Sequence, residues 1–497
     1  MKQTILFSAA LAILLSASVG CSDSETPPKT DDTADTAPTT ETAIDQLAAA
    51  DFVPDDISFN GETFTVIQGN GWGYTGEGWK GSSMDEVAPI PEDVAVGDII
   101  NEAVVARNRL TEEKLNIKIR SIEAPGGCFG FNTDIQNSVM AGDNAYDAVC
   151  GTVSTIYNCA VSGLLTNLAD IKSLDLSHSW WDQKTRRMFN FGTDHEILYF
   201  ANGDINYLDN YASQMLFVNK TLLASLDMEA PYDLVRDHKW TFDAMTEMYK
   251  NAYTDLNADN KPSMEDQYGF ISNIGVMTRL LPASDMEFFV KQSDGTYTIN
   301  DTERYVTALE KIFNAMTQSP DVYLTNGGEY SEIFLSGRSI FSDDYLWAIR
   351  SIAKELEDDY GVVPFPLYDE TQTYYLAPVN DMYASAYGVI VTTDYERAGY
   401  ILDVMGAFSV DTVTDAVIET TCKIKDVRDE DTVDMLEVIF DGAMYPLDTI
   451  TRWGDSQGFF LDLMSKKKNN FASSITKMQK RVAKDAASDL EALANPN

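Results

Sequence analysis

Apolar and polar positions along the 497-residue chain follow two periods. Residues 62–67 (ETFTVI) are a short β-rich run that ends in a glycine-rich loop, Gly69 to Gly78. Ile100, Val104, Arg107 and Leu110 recur at helical spacing behind Asp98, a capping residue type. Residues 116–120 alternate as a strand, a helix around 133–141 stops at Gly142, and residues 146–150 read as a buried strand. This β–α–β rhythm predicts an α/β fold. A second unit begins near Trp180, with strands at 197–200 and 214–218 and helices at 220–226 and 242–250. Residues 339–341 and 361–364 look like strands returning to an α/β sheet. Phe471, Ile475, Met478 and Val482 give the last helix one buried face. No internal repeat is visible.

The N-terminus changes this picture. Lys2 precedes an apolar run from Ile5 to Val19, too short to span a bilayer comfortably and laid out like a secretory signal. Its end, Ser18-Val19-Gly20-Cys21, resembles a bacterial lipobox, although Ser18 stands where Leu is usual. The resemblance implies a signal peptide over 1–20 and lipidation of Cys21. Residues 22–50 are rich in Thr, Asp, Ala and Pro, and a disordered tether is expected over 21–57. A lipid, a tether and a large body describe a protein anchored to a membrane but working in water.

Composition is ordinary: 44% apolar and 23% charged, enough to build a core. The net charge of −42 is not ordinary. Such a surface repels phosphate backbones, so no nucleic-acid partner is expected. Lys466, Lys467, Lys468, Lys477, Lys480, Arg481 and Lys484 read as the solvated side of the last helix. Beyond Cys21, the cysteines Cys128, Cys150, Cys159 and Cys422 form no CxxC pair, and disulfides and buried thiols both remain open.

Six segments come in the order seen in extracellular solute-binding proteins of ABC importers, family 1, the mostly sugar-binding group. They are Tyr146-Asp147-Ala148-Val149, Gly163-Leu164-Leu165-Thr166-Asn167-Leu168, Leu216-Phe217-Val218-Asn219-Lys220, Lys239-Trp240-Thr241-Phe242, Phe334 to Phe341 followed by Tyr345-Leu346-Trp347, and Gly361 to Pro366. The resemblance covers about residues 58–497. It implies a periplasmic-binding-protein-like fold of type II: two α/β lobes, a hinge, and the ligand in the cleft between them. Family order would put 58–165 and 330–392 in lobe 1, and 166–329 and 393–497 in lobe 2. It also implies a monomer that delivers its ligand to the transmembrane permease of an ABC transporter.

No catalytic frame is present. The three histidines, His178, His195 and His238, sit in no metal motif, and neither a GxSxG elbow nor a GxxxxGK[ST] loop occurs. One loop does carry metal chemistry. Residues 255–266 (DLNADNKPSMED) are similar to an EF-hand-type loop, with Asp255, Asn257, Asp259, Ser263 and Asp266 at oxygen-ligand positions and the Lys261 carbonyl at the seventh. Asn260 replaces the usual Gly at position six, and Asp266 the usual Glu at twelve. A structural Ca²⁺ is the expectation.

A sugar offers flat C–H faces and a rim of hydroxyls, so its site needs aromatic faces beside polar side chains. The candidates are Trp72 and Tyr74 in the glycine loop, Thr152 and Ser154 after the third strand, and Asp204 and Tyr207 ahead of the strand at 214–218. Asp344, Tyr345 and Trp347 follow, with Arg452 and Trp453 in a late loop. Trp347 and Trp453 are the favoured stacking residues. A carbohydrate, an oligosaccharide in particular, is preferred to a peptide or polyamine bound by the same fold, and to a calcium-dependent carbohydrate-binding surface protein without a transporter.

Overall fold

The computed structural model describes residues 50–69, 86–88, 99–125, 127–422 and 429–495. Trp72, Tyr74, Asp98 and Cys21 lie outside the described residues, as do the signal and most of the tether. Among the described residues the strands are, in order, β1 (Glu62–Gln68), β2 (Ile117–Glu123), β3 (Ala148–Thr152), β4 (Gln214–Asn219), β5 (Tyr268–Asn273), β6 (Phe289–Lys291), β7 (Tyr297–Ile299), β8 (Val322–Thr325), β9 (Ser339–Tyr345), β10 (Tyr360–Val363), β11 (Ala377–Pro378), β12 (Ser385–Val389) and β13 (Ala443–Met444). They form two principal sheets, ordered β12-β3-β1-β2 and β10-β4-β9-β5-β8. In the first, β1 pairs parallel with β2 and β3, while β12 runs antiparallel to β3. In the second, β4 is antiparallel to both β10 and β9, and β5 is parallel to β9 and β8. The result is the expected α/β architecture on two sheets.

Local chemistry explains the elements. The helix Ile99–Leu115 buries Val104, Arg107, Leu110 and Leu115, the face its spacing predicts. Asn219 ends β4 and begins the helix Lys220–Ser225, its Oδ1 accepting the Leu222 N–H at 2.8 Å. Its Nδ2 donates to Asp358, so one side chain closes both the helix and the neighbouring turn. Gly337 turns the chain into β9 with φ of 71°, and a Cβ there would meet Asp358 Oδ2 at 2.6 Å. The last helix, Phe471–Ala494, buries Phe471, Met478 and Val482 and leaves its lysines exposed.

The division expected from family order needs correction at two strands. β9 and β10 fall within 330–392, yet both pair with β4 in the second sheet. β4 is buried at every position, so each of its edges must find a partner, and these strands supply them. Only β12 returns to the first sheet. The stretch 166–203 lies on the first sheet's side, through bridges Leu165 to Ile390 and Ala201 to Tyr387. The strand expected at 197–200 forms no ladder.

Among the described residues, the segments 201–213 and 377–384 run between the two sheets. The two passages touch, Ser213 bridging Val379, and β11 pairs with β13 from the C-terminal region. Cys150 and Cys159 are buried free thiols, while the side chains of Cys128 and Cys422 lie outside the described residues.

Candidate functional site

The passages between the sheets bring residues from both halves into one place. At the end of β9, Leu346 and Trp347 donate their N–H groups to the carbonyls of Ser213 and Tyr211. The second passage then runs Asn380-Asp381-Met382-Tyr383. Asn380 Nδ2 donates to Tyr345 Oη at 2.7 Å, tying this segment to β9. On its other side, the Asp381 carbonyl accepts the Ser154 N–H at 3.3 Å and its hydroxyl at 3.4 Å, tying it to the helix Val153–Val161.

Three aromatic rings meet there. Tyr345 stacks on Trp347 with centroids 4.1 Å apart and planes at 22°, and Tyr383 meets Trp347 edge-on at 4.6 Å. All three are half-buried. The register of β9 that aims Tyr345 is fixed from behind by Asp343, which pairs with Arg279, itself bonded to Ser272 and Asn273 of β5.

Carboxylates surround this platform. Burial raises Asp344 to about 7, against the opposing pull of the Tyr345 N–H and Arg279. Burial also raises Asp381 to about 6, with Arg452 restraining the rise. Arg452 Nη2 lies 3.6 Å from Asp381 Oδ2, an ion pair longer than a hydrogen bond. Asp448 rises to about 7 through burial, Asp381 adding to it. Asp209, beside Tyr211, reaches about 8 through burial, with Glu86 contributing.

The other sequence candidates are placed elsewhere. Trp453, a favoured stacking residue, is only 1% exposed and needs correction. Its ring packs on Phe289 and Tyr297, and its Nε1 donates to Asp489 Oδ2 at 2.7 Å, as does the Tyr157 hydroxyl at 2.6 Å. It locks the last helix to the body and presents no face to a ligand. Tyr207 is buried beside Val104, Leu208, Val413 and Val417. Thr152 is buried, its hydroxyl bonded to that of Thr155. Asp204 accepts from Thr414, and burial raises it to about 6. Ser154, Asp344, Tyr345, Trp347 and Arg452 are brought together. Sequence reasoning missed Asn380, Asp381 and Tyr383. Their signal is a polar and aromatic run between Pro378 and the apolar strand 385–389.

In the loop 255–266 the acidic side chains gather backbone N–H groups. Asp255 accepts the N–H groups of Ala258 and Asn260 at 2.7 and 2.8 Å, and Asp259 that of Lys261 at 2.8 Å. Asp266 accepts those of Leu256 and Ser263 at 3.1 and 2.9 Å, so the last residue closes on the first turn. Ala258 and Asn260 both have φ of 60°, the left-handed turn for which Asn replaces Gly. This backbone fits a wrapped cation. Among the described residues, however, no three His, Cys, Asp or Glu side chains converge as a metal site by themselves.

Comparisons with known proteins agree with the fold. The bacterial extracellular solute-binding protein family matches residues 107–402. Among solved structures, a cyclo/maltodextrin-binding protein complexed with maltotetraose is similar over 88% of this chain and 97% of its own, at 13% identity and a TM-score of 0.55. UspC of M. tuberculosis is similar over 85% of this chain and 100% of its own, at 13% identity and a TM-score of 0.50. No curated protein sequence matches. Among the described residues no helix is long and apolar enough to cross a membrane. With the family match spanning more than half of its residues, the chain belongs to the bacterial extracellular solute-binding proteins.

Proposed function

We propose that this extracytoplasmic binding protein captures an oligosaccharide and delivers it to the permease of an ABC transporter, without making or breaking a bond. The observation that carries the reading is the Tyr345–Trp347–Tyr383 platform, set among Asn380, Asp381, Ser154 and Arg452 where the chain passes between its sheets. Stacked rings suit the apolar faces of pyranose units, and mixed acid, amide and guanidinium groups suit hydroxyls. The known ligand of the maltodextrin-binding neighbour is of the same chemical class.

Capture would work through the hinge. A ligand touching both lobes favours the closed arrangement by the free energy of the contacts it adds there. The closed monomer would then present both lobes to the permease, held at the membrane by lipid on Cys21 and the tether. The loop 255–266 would hold a structural Ca²⁺ through Asp255, Asn257, Asp259, the Lys261 carbonyl, Ser263 and Asp266. That ion would supply charge neutralisation to the loop and take no part in ligand capture.

A second reading, a polyamine ligand, draws on the enclosed carboxylates Asp209, Asp344 and Asp381. Thermal-shift screening of oligosaccharides, peptides and polyamines separates the two. A rise with an oligosaccharide is expected; a rise with a polyamine alone contradicts the carbohydrate reading.

A further inference from the structure

Glu86 stands apart from the other acids of the chain. It is fully buried, and among the described residues its carboxylate forms no ion pair. A carboxyl group placed this way is costly unless donors surround it. Here four do so. Oε1 accepts the N–H groups of Tyr207 and Leu208 at 2.6 and 3.2 Å. Oε2 accepts the Ser385 hydroxyl, and the Cys150 thiol at 3.5 Å. The Ser385 hydroxyl in turn accepts from Asn206 Nδ2 at 2.9 Å. Tyr207 and Leu208 belong to the first passage between the sheets, and Ser385 begins β12, where the second passage ends. One side chain therefore holds both passages at the ends nearer the first sheet.

Glu86 is itself fixed to the first sheet's side. Arg107, fully buried on the helix Ile99–Leu115, donates Nη2 to the Glu86 and Val87 carbonyls at 2.9 and 2.8 Å. Its Nη1 donates to the Ile205 carbonyl at 3.2 Å, and Asn108 Nδ2 donates to the Val87 carbonyl at 2.7 Å. Four consecutive residues, Ile205 to Leu208, are thus each tied down by a buried polar group. A few residues later the ties lead the other way. The Tyr211 and Ser213 carbonyls accept from Trp347 and Leu346 at the end of β9, and the Ala212 carbonyl accepts the Asn380 N–H at 3.2 Å. The second passage shows the same exchange. Its Ala384 carbonyl accepts the Val153 N–H at 3.0 Å, whereas Val379 pairs with Ser213.

We infer that Glu86 is a positioning residue that pins both passages, so that closure of the lobes turns on the short stretches beyond it, 209–212 and 379–381. Tyr207, Leu208 and Ser385 then keep their places in the open and the closed form. Tyr211 and Ser213, which carry Trp347 and Leu346, move with the aromatic platform. Hinges are a few element-terminal residues that absorb the change in φ and ψ, and the four-residue helix Leu208–Tyr211 is such a place. Without the pin, bending would spread upstream along the first passage. The closed form would then be a smaller share of a wider range of lobe orientations, and the apparent affinity would fall with that share. The inference rests on capture by closure, as proposed above, and names the residue that places its axis.

The test is amide hydrogen exchange of the full chain, read residue by residue, for the wild type, Glu86→Met and Glu86→Gln. Met keeps the length of the side chain and offers no carboxylate acceptor. Without ligand, the Tyr207 and Leu208 amides should exchange at least about tenfold faster in Glu86→Met than in the wild type. Gln should restore most of their protection, because its one carbonyl oxygen can accept both N–H groups. The glycan used is the tightest wild-type binder, by calorimetric titration, among gluco-, manno-, galacto- and xylo-oligosaccharides. With it, wild-type exchange should change at 209–212 and 379–381 and stay constant at Tyr207 and Leu208. In Glu86→Met the ligand-dependent change should reach back to Tyr207, a relocation that a general loss of stability does not produce, and affinity should fall by about tenfold. A ligand-dependent change at Tyr207 and Leu208 in the wild type overturns the inference, and needs no variant to fold. Unchanged exchange of these amides in Glu86→Met overturns it too. If no panel member binds the wild type, the carbohydrate reading falls, and the ligand-free comparison still decides whether Glu86 pins the passages.

Discussion

Replacing Trp453 with Phe tests the placement of this ring most sharply. The indole is buried, donates to Asp489 Oδ2 at 2.7 Å, and fills the space between Phe289 and Tyr297. Phe keeps most of the volume but cannot donate. A hydrogen bond to a charged acceptor is worth about 1.5–3 kcal/mol. The smaller ring forfeits roughly 40 Å² of apolar contact, or about 1 kcal/mol at about 25 cal/mol per Å². The total is about 2.5–4 kcal/mol, because Tyr157 still donates to Asp489 and the carboxylate is not left bare. The assay is urea unfolding followed by tryptophan fluorescence and circular dichroism, with glycan affinity measured in parallel. The account expects a clearly lower unfolding midpoint and affinity within about twofold of the wild type. An unchanged midpoint with affinity lost tenfold would show that Trp453 meets the ligand, and the packing argument would fail.

Further outcomes follow from the same geometry. Trp347→Ala should weaken glycan binding by about tenfold or more, in line with the 0.5–1.5 kcal/mol of ring stacking plus lost burial, while the melting curve changes little; unchanged affinity removes Trp347 from the site. Because burial lifts Asp209 from about 4 to about 8, the folded state holds a proton that the unfolded state releases, so this group's contribution to stability falls as pH rises across that window. Asp209→Asn should therefore stabilise the protein increasingly from pH 4 to pH 8, and a pH-independent effect contradicts the placement. If Ca²⁺ occupies the loop 255–266, chelation should lower the melting temperature, by the equivalent of about 2.7 kcal/mol where free ion stands at a hundred times its dissociation constant. Asp255→Ala should abolish that difference; a melting curve indifferent to chelator speaks against the ion.

Much of the fold was legible because it is local. The helix Ile99–Leu115 and the last helix, Phe471–Ala494, each depend on the spacing of a few apolar residues, and their sequence signals are direct. Sheet membership was not legible. β9 and β10 belong to the second sheet because the fully buried β4 needs partners at both edges, a requirement set by tertiary pairing. The site divides in the same way. Tyr345 and Trp347 stand out as aromatics at a strand end, whereas Asp381 acquires meaning only beside Arg452, 71 positions later in the chain. Trp453 misled for a physical reason. An aromatic next to Arg in a polar loop resembles a stacking surface, but the acid that claims it, Asp489, lies 36 positions later on the last helix.

The central claim is that a glycan is held between the two lobes and draws them together. Small-angle X-ray scattering of the mature protein, with and without a saturating oligosaccharide, measures this directly. The account predicts a smaller radius of gyration in the presence of the sugar, and no such change in Trp347→Ala at the same sugar concentration. A wild type that binds the sugar with an unchanged radius would contradict capture by closure.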